Sequence, residues 1–122
     1  MSKFVIRAVP TGYKFNLKAT NGQVIAASEV YTTMASCRTG IASVRKNAVA
    51  AKLEDQTEEG WKNLTNPKFV IFQDKAGQFR FRLKARNGEI IAASEGYTTK
   101  ASCRGGIESV RTNAPIAEEI EE

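Results

Sequence analysis

An α+β domain built from two copies of one unit is the fold this sequence predicts, and three observations carry that prediction. Phe15–Ala48 returns as Phe81–Ala114, a shift of about 66 residues with roughly 25 of 34 positions unchanged. Each copy opens with short runs rich in Val, Ile and Phe and sets an Asn-Gly pair between alternating segments, the pattern of antiparallel hairpins. Each then carries a stretch whose apolar residues recur at helical spacing. The chain has 122 residues, 42% hydrophobic and 25% charged, which is ordinary for a soluble single domain. Residues 1–60 are expected to form the first repeat with its last strand, and 61–122 the second.

Lys3–Val9 and Phe69–Gln73 read as the first strands, and Pro10–Gly12 and Asp74–Gly77 as the turns after them. Tyr13–Thr20 alternates, with Phe15, Leu17 and Ala19 on one side and Lys14, Asn16 and Lys18 on the other. Its counterpart sets Phe81, Leu83 and Ala85 against Arg80, Arg82, Lys84 and Arg86. Asn21-Gly22 and Asn87-Gly88 then lead into third strands, Gln23–Ser28 and Glu89–Ser94. A two-residue turn places Leu17 opposite Ala26, Asn16 opposite Ala27 and Lys18 opposite Ile25. Ile25, Ala27, Ile91 and Ala93 would then lie among lysines on the outer face.

Thr33 and Thr99 are the expected helix N-caps, and Pro115 ends the second helix. Cys37, Gly40, Ile41, Val44 and Ala48 share one helical face, the stripe that should pack on the sheet. Gly40 and Gly106 each cost up to about 1 kcal/mol of helix propensity relative to Ala, which predicts a close approach by the strands or the other helix. "AVAAKLEDQ" and "PIAEEIEE" each follow a helix and read as a fourth, edge-type strand. One unit is too small to bury its apolar face well, and two related by an approximate two-fold can do so together.

"FNLKATNGQVIAASEVYTTMASCRTGIASVRKNA" and "FRLKARNGEIIAASEGYTTKASCRGGIESVRTNA" both resemble the repeat of the YegP-like family of small uncharacterised bacterial proteins. The shared pattern is F-x-L-K-A-x-N-G, then S-E-x-Y, then a helix with G-I-x-S-V. The resemblance spans essentially the whole chain, twice. It implies two tandem β3-α-β repeats with pseudo-two-fold symmetry, forming one mainly antiparallel sheet with two helices on one face. It also implies that the C-terminal strands are exchanged between repeats. It supplies no activity and no catalytic residue.

With no histidine in the chain, Cys-His and Ser-His-Asp arrangements are excluded. Two cysteines fall short of a closed zinc site, and no phosphate or dinucleotide loop motif is present. No catalytic residue, metal or cofactor is therefore expected, and the protein reads as non-enzymatic. Cys37 and Cys103 lie on the apolar helix stripe and read as buried, reduced thiols, the alternative being a redox pair near the two-fold. "MSKFVIRAV" has no signal-peptide pattern, and no apolar run approaches the ~20 residues of a membrane span, so a cytoplasmic monomer away from membranes is expected. In Ser28–Thr33 and Ser94–Thr99 the Thr should cap the helix, the Tyr pack over the junction and Glu29 or Glu95 brace the turn.

Net charge is +5 and the pI about 9.4. Roughly eight of the thirteen acids sit in 52–59 and 118–122, so the repeat bodies are more basic than the whole. Lys14, Lys18, Arg80, Arg82, Lys84 and Arg86 on the strands form a candidate anion or nucleic-acid surface, as do Arg38, Arg45, Arg104 and Arg111 on the helices. Against this, no aromatic interleaves with these charges, and acidic exchanged strands could answer basic ones. The leading reading is a structural or protein-interaction module. Weak, salt-sensitive nucleic-acid binding through the basic sheet face is the alternative. Trp61 is expected to anchor the connector between the repeats.

Overall fold

The computed structural model describes residues 1–122. In chain order the elements are β1 (Lys3–Val9), β2 (Gly12–Lys18), β3 (Val24–Ala27), α1 (Met34–Ala50) and β4 (Lys52–Asp55). The second series is β5 (Lys68–Gln73), β6 (Phe79–Lys84), β7 (Ile90–Ala93), α2 (Lys100–Asn113) and β8 (Glu118–Glu121). All eight strands form one sheet in the order β4-β5-β6-β7-β3-β2-β1-β8. The exchange is explicit in that order. β4, from the first repeat, runs parallel to β5, and β8, from the second, runs parallel to β1. The remaining ladders are antiparallel, and the halves meet where Ala27 faces Ala93.

Both helices lie on one side of the sheet. Cys37, Gly40, Ile41, Val44 and Ala48 are buried on α1, matching the stripe expected from helical spacing. Cys37, Ile41, Val44 and Ala48 pack on Phe4, Ile6, Phe15, Leu17 and their second-repeat counterparts in one core of 23 residues. The Thr33 and Thr99 hydroxyls accept from the backbone N–H groups of Ser36 and Ser102, so both N-caps form as the sequence indicates. Burial pushes the Cys37 thiol up. Burial, with the Asp55 carboxylate nearby, raises Cys103 to about 11. Both thiols are free, protonated and buried at neutral pH.

The rings in each half are stacked in the same way. Phe4 meets Phe15 edge-on at 5.6 Å, and Phe15 stacks on Tyr31 at 6.2 Å. Phe69, Phe81 and Tyr97 repeat this at 5.8 and 6.4 Å. The last ring explains the helix glycine. A Cβ on Gly40 would sit 2.3 Å from the Tyr31 hydroxyl, and one on Gly106 would sit 2.4 Å from that of Tyr97. The close approach expected from strands or helix is therefore made by the junction tyrosine. Gly105, next in sequence, faces open space. Gly105→Ala should raise stability by about 0.5–1 kcal/mol, whereas Gly106→Ala should lower it by roughly 1–2 kcal/mol. Urea denaturation midpoints moving in opposite directions would confirm this; two equal shifts would refute it.

The hairpins depart from the expected register at one place. Leu17–Ala26 and Asn16–Ala27 pair as expected, but the ladder shifts after Leu17, and Lys18 pairs with Val24. The turn is wider than two residues, since the Ala19 N–H donates to the Gln23 carbonyl. This bulge turns Ile25 into the core and leaves Val24 on the outer face, and the second repeat does the same with Ile91 and Ile90.

The junction before each helix is solved differently in the two copies. In the first, a Cβ at Gly12 would fall 2.0 Å from the Tyr31 carbonyl oxygen and 3.2 Å from Val30, so the strand side gives way. In the second, Gln78 occupies the strand position and Gly96 the facing one, where a Cβ would meet the Gln78 side chain.

Candidate functional site

With the helices on one side, the other face of the sheet is largely open. Reading across the ladders, one row on that face runs Ile120, Val5, Asn16, Ala27, Ala93, Arg82, Val70, Glu54. At its centre lies a groove of about 600 Å³, lined by seven residues from each repeat at matching positions. Ala27 and Ala93 form the floor because their small side chains let the face dip there. Val24 and Ile90 supply apolar walls, and Lys14 and Arg80 stand at opposite ends.

Glu29 and Glu95 also line the groove, exposed and without hydrogen bonds to brace the turn. That task falls to the serines. Ser28 Oγ accepts from the Phe15 N–H and donates to the Glu29 carbonyl, and Ser94 does the same with Phe81 and Glu95. The carboxylates are thereby left free at the groove.

The cations expected from the sequence divide into two populations. Lys14, Lys18, Arg80, Arg82 and Lys84 share the open face. Of these, Arg80 is held by Asp74 at 2.7 Å, and its guanidinium, with backbone N–H donors, keeps that carboxyl below the usual carboxylate range. Lys14, Lys18, Arg82 and Lys84 make no ion pair. Arg82 lies over the Phe72 ring at 4.3 Å, so an aromatic does interleave with the charge. Phe72 was hidden within the continuous apolar run "KFVIF", where alternation does not reveal which residue faces outward. Arg86 lies beyond the end of β6, beside Lys46 and Asn47 of α1, and does not join this group.

The helix arginines are spoken for. Arg38 pairs with Glu121 at 2.6 Å and Glu119 at 3.8 Å, while Arg104 and Lys100 pair with Asp55. Arg45 donates to the Ala114 carbonyl at the end of α2 and covers the Phe4 ring; Arg111 donates to Ala48 near the end of α1 and covers Phe69. Each thus places a cation at the negative end of the other repeat's helix. Of the acids in the exchanged segments, Glu119, Glu121 and Asp55 answer the helices, while Glu54 and Glu122 answer Lys68 and Arg7 on the strands, and Lys14, Lys18, Arg82 and Lys84 are left without an ion pair.

One end of the open face is covered. The connector between β4 and β5 folds back over β5, where Lys68 Nζ donates to Glu54 Oε1 at 2.8 Å, Asn63 Oδ1 at 2.7 Å and the Leu64 carbonyl at 3.0 Å. The Leu64 N–H donates to the same Glu54 oxygen. Trp61, expected to be the anchor, is 46% exposed, and Asn63 and Leu64 fix the connector instead. No helix is long and apolar enough to cross a membrane.

These features define a tandem-repeat α+β protein with an internal two-fold, exchanged end strands and one open, charged sheet face. The chain belongs to the family described as "Domain of unknown function (DUF1508)", which matches residues 11–55 and again 74–121. It is 41% identical over 114 residues to a UPF0339 protein of Bordetella pertussis, covering 93% of this chain and 89% of that one. A UPF0339 protein of Treponema denticola is 61% identical over 54 residues, 44% of this chain but 93% of the relative, which is thus about one repeat long. The solution structure of YegP from E. coli, a protein of unknown function, superposes with a TM-score of 0.79 at 33% identity, covering 99% of this chain and 92% of that one.

Proposed function

We propose that this protein is a non-enzymatic protein-interaction module whose contact surface is the central groove of the open sheet face. The observation that carries this reading is the mixed lining of the groove. Apolar walls from Val24 and Ile90 stand beside free carboxylates at Glu29 and Glu95, unpaired cations at Lys14 and Arg82, and Arg80 held by Asp74. Such a lining suits a polypeptide segment with apolar and charged groups of both signs. The two carboxylates offset the unpaired cations Lys14 and Arg82, so the groove offers no excess positive charge to hold a phosphate backbone.

Lys14→Glu together with Arg82→Glu should weaken capture of a specific partner by about tenfold or more in Kd, the effect of ~1.4 kcal/mol at a contact centre. Lys46→Glu, on the helix side, should leave capture unchanged. A partner retained equally by both variants would sink the reading.

The second reading, nucleic-acid binding, is favoured by the unpaired Lys14, Lys18 and Lys84 and by Arg82 stacked on Phe72. It predicts anisotropy changes with labelled DNA or RNA that weaken steeply with salt and vanish when Lys14, Lys18, Arg82 and Lys84 become Gln. Absent or salt-insensitive binding would discard it.

A further inference from the structure

The two halves differ at one place on the open face, and the difference indicates a second docking site. In the second half the connector covers Lys68 and Val70, which are 4% exposed, and Glu54, which is 2% exposed. At the matching place in the first half no connector folds over the strand: Lys3 is exposed, although Val5 is still only 7% exposed. Lys3 stands where Lys68 does, Val5 where Val70 does, and Ile120 where Glu54 does, as the parallel ladders β1–β8 and β5–β4 show. A cleft of about 400 Å³ remains there, bounded by Met1, Lys3, Val5, Lys18, the Gly22 turn and Ile120, and by Glu121 and Glu122, whose carboxylates are already taken up by Arg38 and Arg7. Lys3 is exposed and makes no hydrogen bond or ion pair, even though Glu118 lies across the ladder from it.

We infer that this cleft binds an extended segment of a partner protein, laid down as the connector is laid down in the other half, with a carboxylate side chain just before a leucine-like residue. The chain itself shows the manner of occupancy. Asn63 and Leu64 supply acceptors to Lys68, and Asn66 reaches the Gly88 turn, to within 3.4 Å of where a Cβ on Gly88 would be. The substitution at Ile120 dictates the chemistry. In the second half the negative charge for the lysine comes from strand β4 through Glu54, so the connector needs to bring only neutral acceptors. Beside Lys3 that position is apolar. An occupant must therefore bring its own carboxylate, and it gains an apolar seat on Ile120. This inference is independent of the central groove, since its residues lie at the far edge of the sheet, on β1, β8 and the 18–22 turn.

The probe is the peptide spanning Glu59 to Pro67 with Asn63→Asp, titrated into the 15N-labelled full-length protein and followed by amide shifts. Shifts are expected at Lys3, Val5, Gly22 and Ile120, with the central groove unmoved. The Asp peptide should bind about threefold more tightly than the Asn peptide, the order of one exposed ion pair, and Lys3→Gln should remove that preference. No shifts at millimolar peptide would overturn the inference. So would shifts confined to Ala27, Ala93 and Glu95, or an Asp preference that survives Lys3→Gln.

Discussion

Residues 1–60 and 61–122, produced separately, are expected to be unfolded as monomers and to fold together when mixed. The exchanged strands require it. β4 pairs only with β5 of the other half, and β8 only with β1. A lone half therefore loses the neighbour on one side of its first strand and leaves its own last strand without a ladder. It also exposes a large share of the 23-residue core, which draws on both halves. Sedimentation at two concentrations with parallel urea melts would show folding that appears only with association.

The halves should also differ in how well they pair with themselves. Two copies of 1–60 would set Glu54 beside Lys3, a charge match. Two copies of 61–122 would set Ile120 beside Lys68, leaving a lysine under the connector without its carboxylate, at about 3–5 kcal/mol per site. The expected order of stability puts the 61–122 self-pair below the mixed pair. A cooperatively folded monomeric half, or a 61–122 self-pair as stable as the mixture, would refute the account.

What the sequence disclosed follows from where each feature is encoded. The duplication, the alternation around Phe15–Leu17 and Phe81–Leu83, and the helix stripe at Cys37, Ile41 and Val44 are local patterns of period 2 or 3.6. They gave the architecture, and the family resemblance gave the strand exchange. Features set by contacts distant in sequence were not legible. Nothing near Ile25 announces the bulge, because it depends on how Ala19 and Gln23 close the turn. Nothing near Arg45 says that its guanidinium caps a helix ending at Ala114. The open-face charge was only half legible. Lys14, Lys18, Arg82 and Lys84 stand free as alternation suggests, but the pairing of Arg80 with Asp74 and the stacking of Arg82 on Phe72 arise from the fold. Glu54 looked like one acid in an acidic strand, and only the folded connector makes it the most deeply buried charge in the protein.

That carboxylate is the point at which a single substitution should cost most. Glu54→Ala is expected to lower stability by about 3–5 kcal/mol, because Lys68 stays buried while losing its counter-charge and Leu64 N–H loses its acceptor. Replacing both partners, Glu54→Leu with Lys68→Met, should recover much of that loss, since the cost comes from the stranded charge rather than from the missing attraction. The pair also predicts a pH response. Burial pushes the Glu54 carboxyl up, but hydrogen bonds from Lys68, the Leu64 N–H and Gln56, with the lysine's charge, outweigh it and hold the group below its ordinary value. A carboxyl lower in the folded than in the unfolded state stabilises fully above the unfolded value of about 4.3, and that stabilisation is lost as pH falls through the folded value. Glu54→Gln should therefore flatten the acid limb of stability against pH. The flattening should be partial, because Asp55, Asp74 and Glu122 are depressed in the same direction. The reverse substitution separates burial from charge. Ile120→Glu places a carboxylate beside Lys3 where no connector covers it, so it should gain no more than about 1 kcal/mol, a gain that added salt erases. Chemical denaturation of both variants across pH 3–7 and at two salt concentrations measures this; equal and opposite effects at Glu54 and Ile120 would show that the connector adds nothing to the pair.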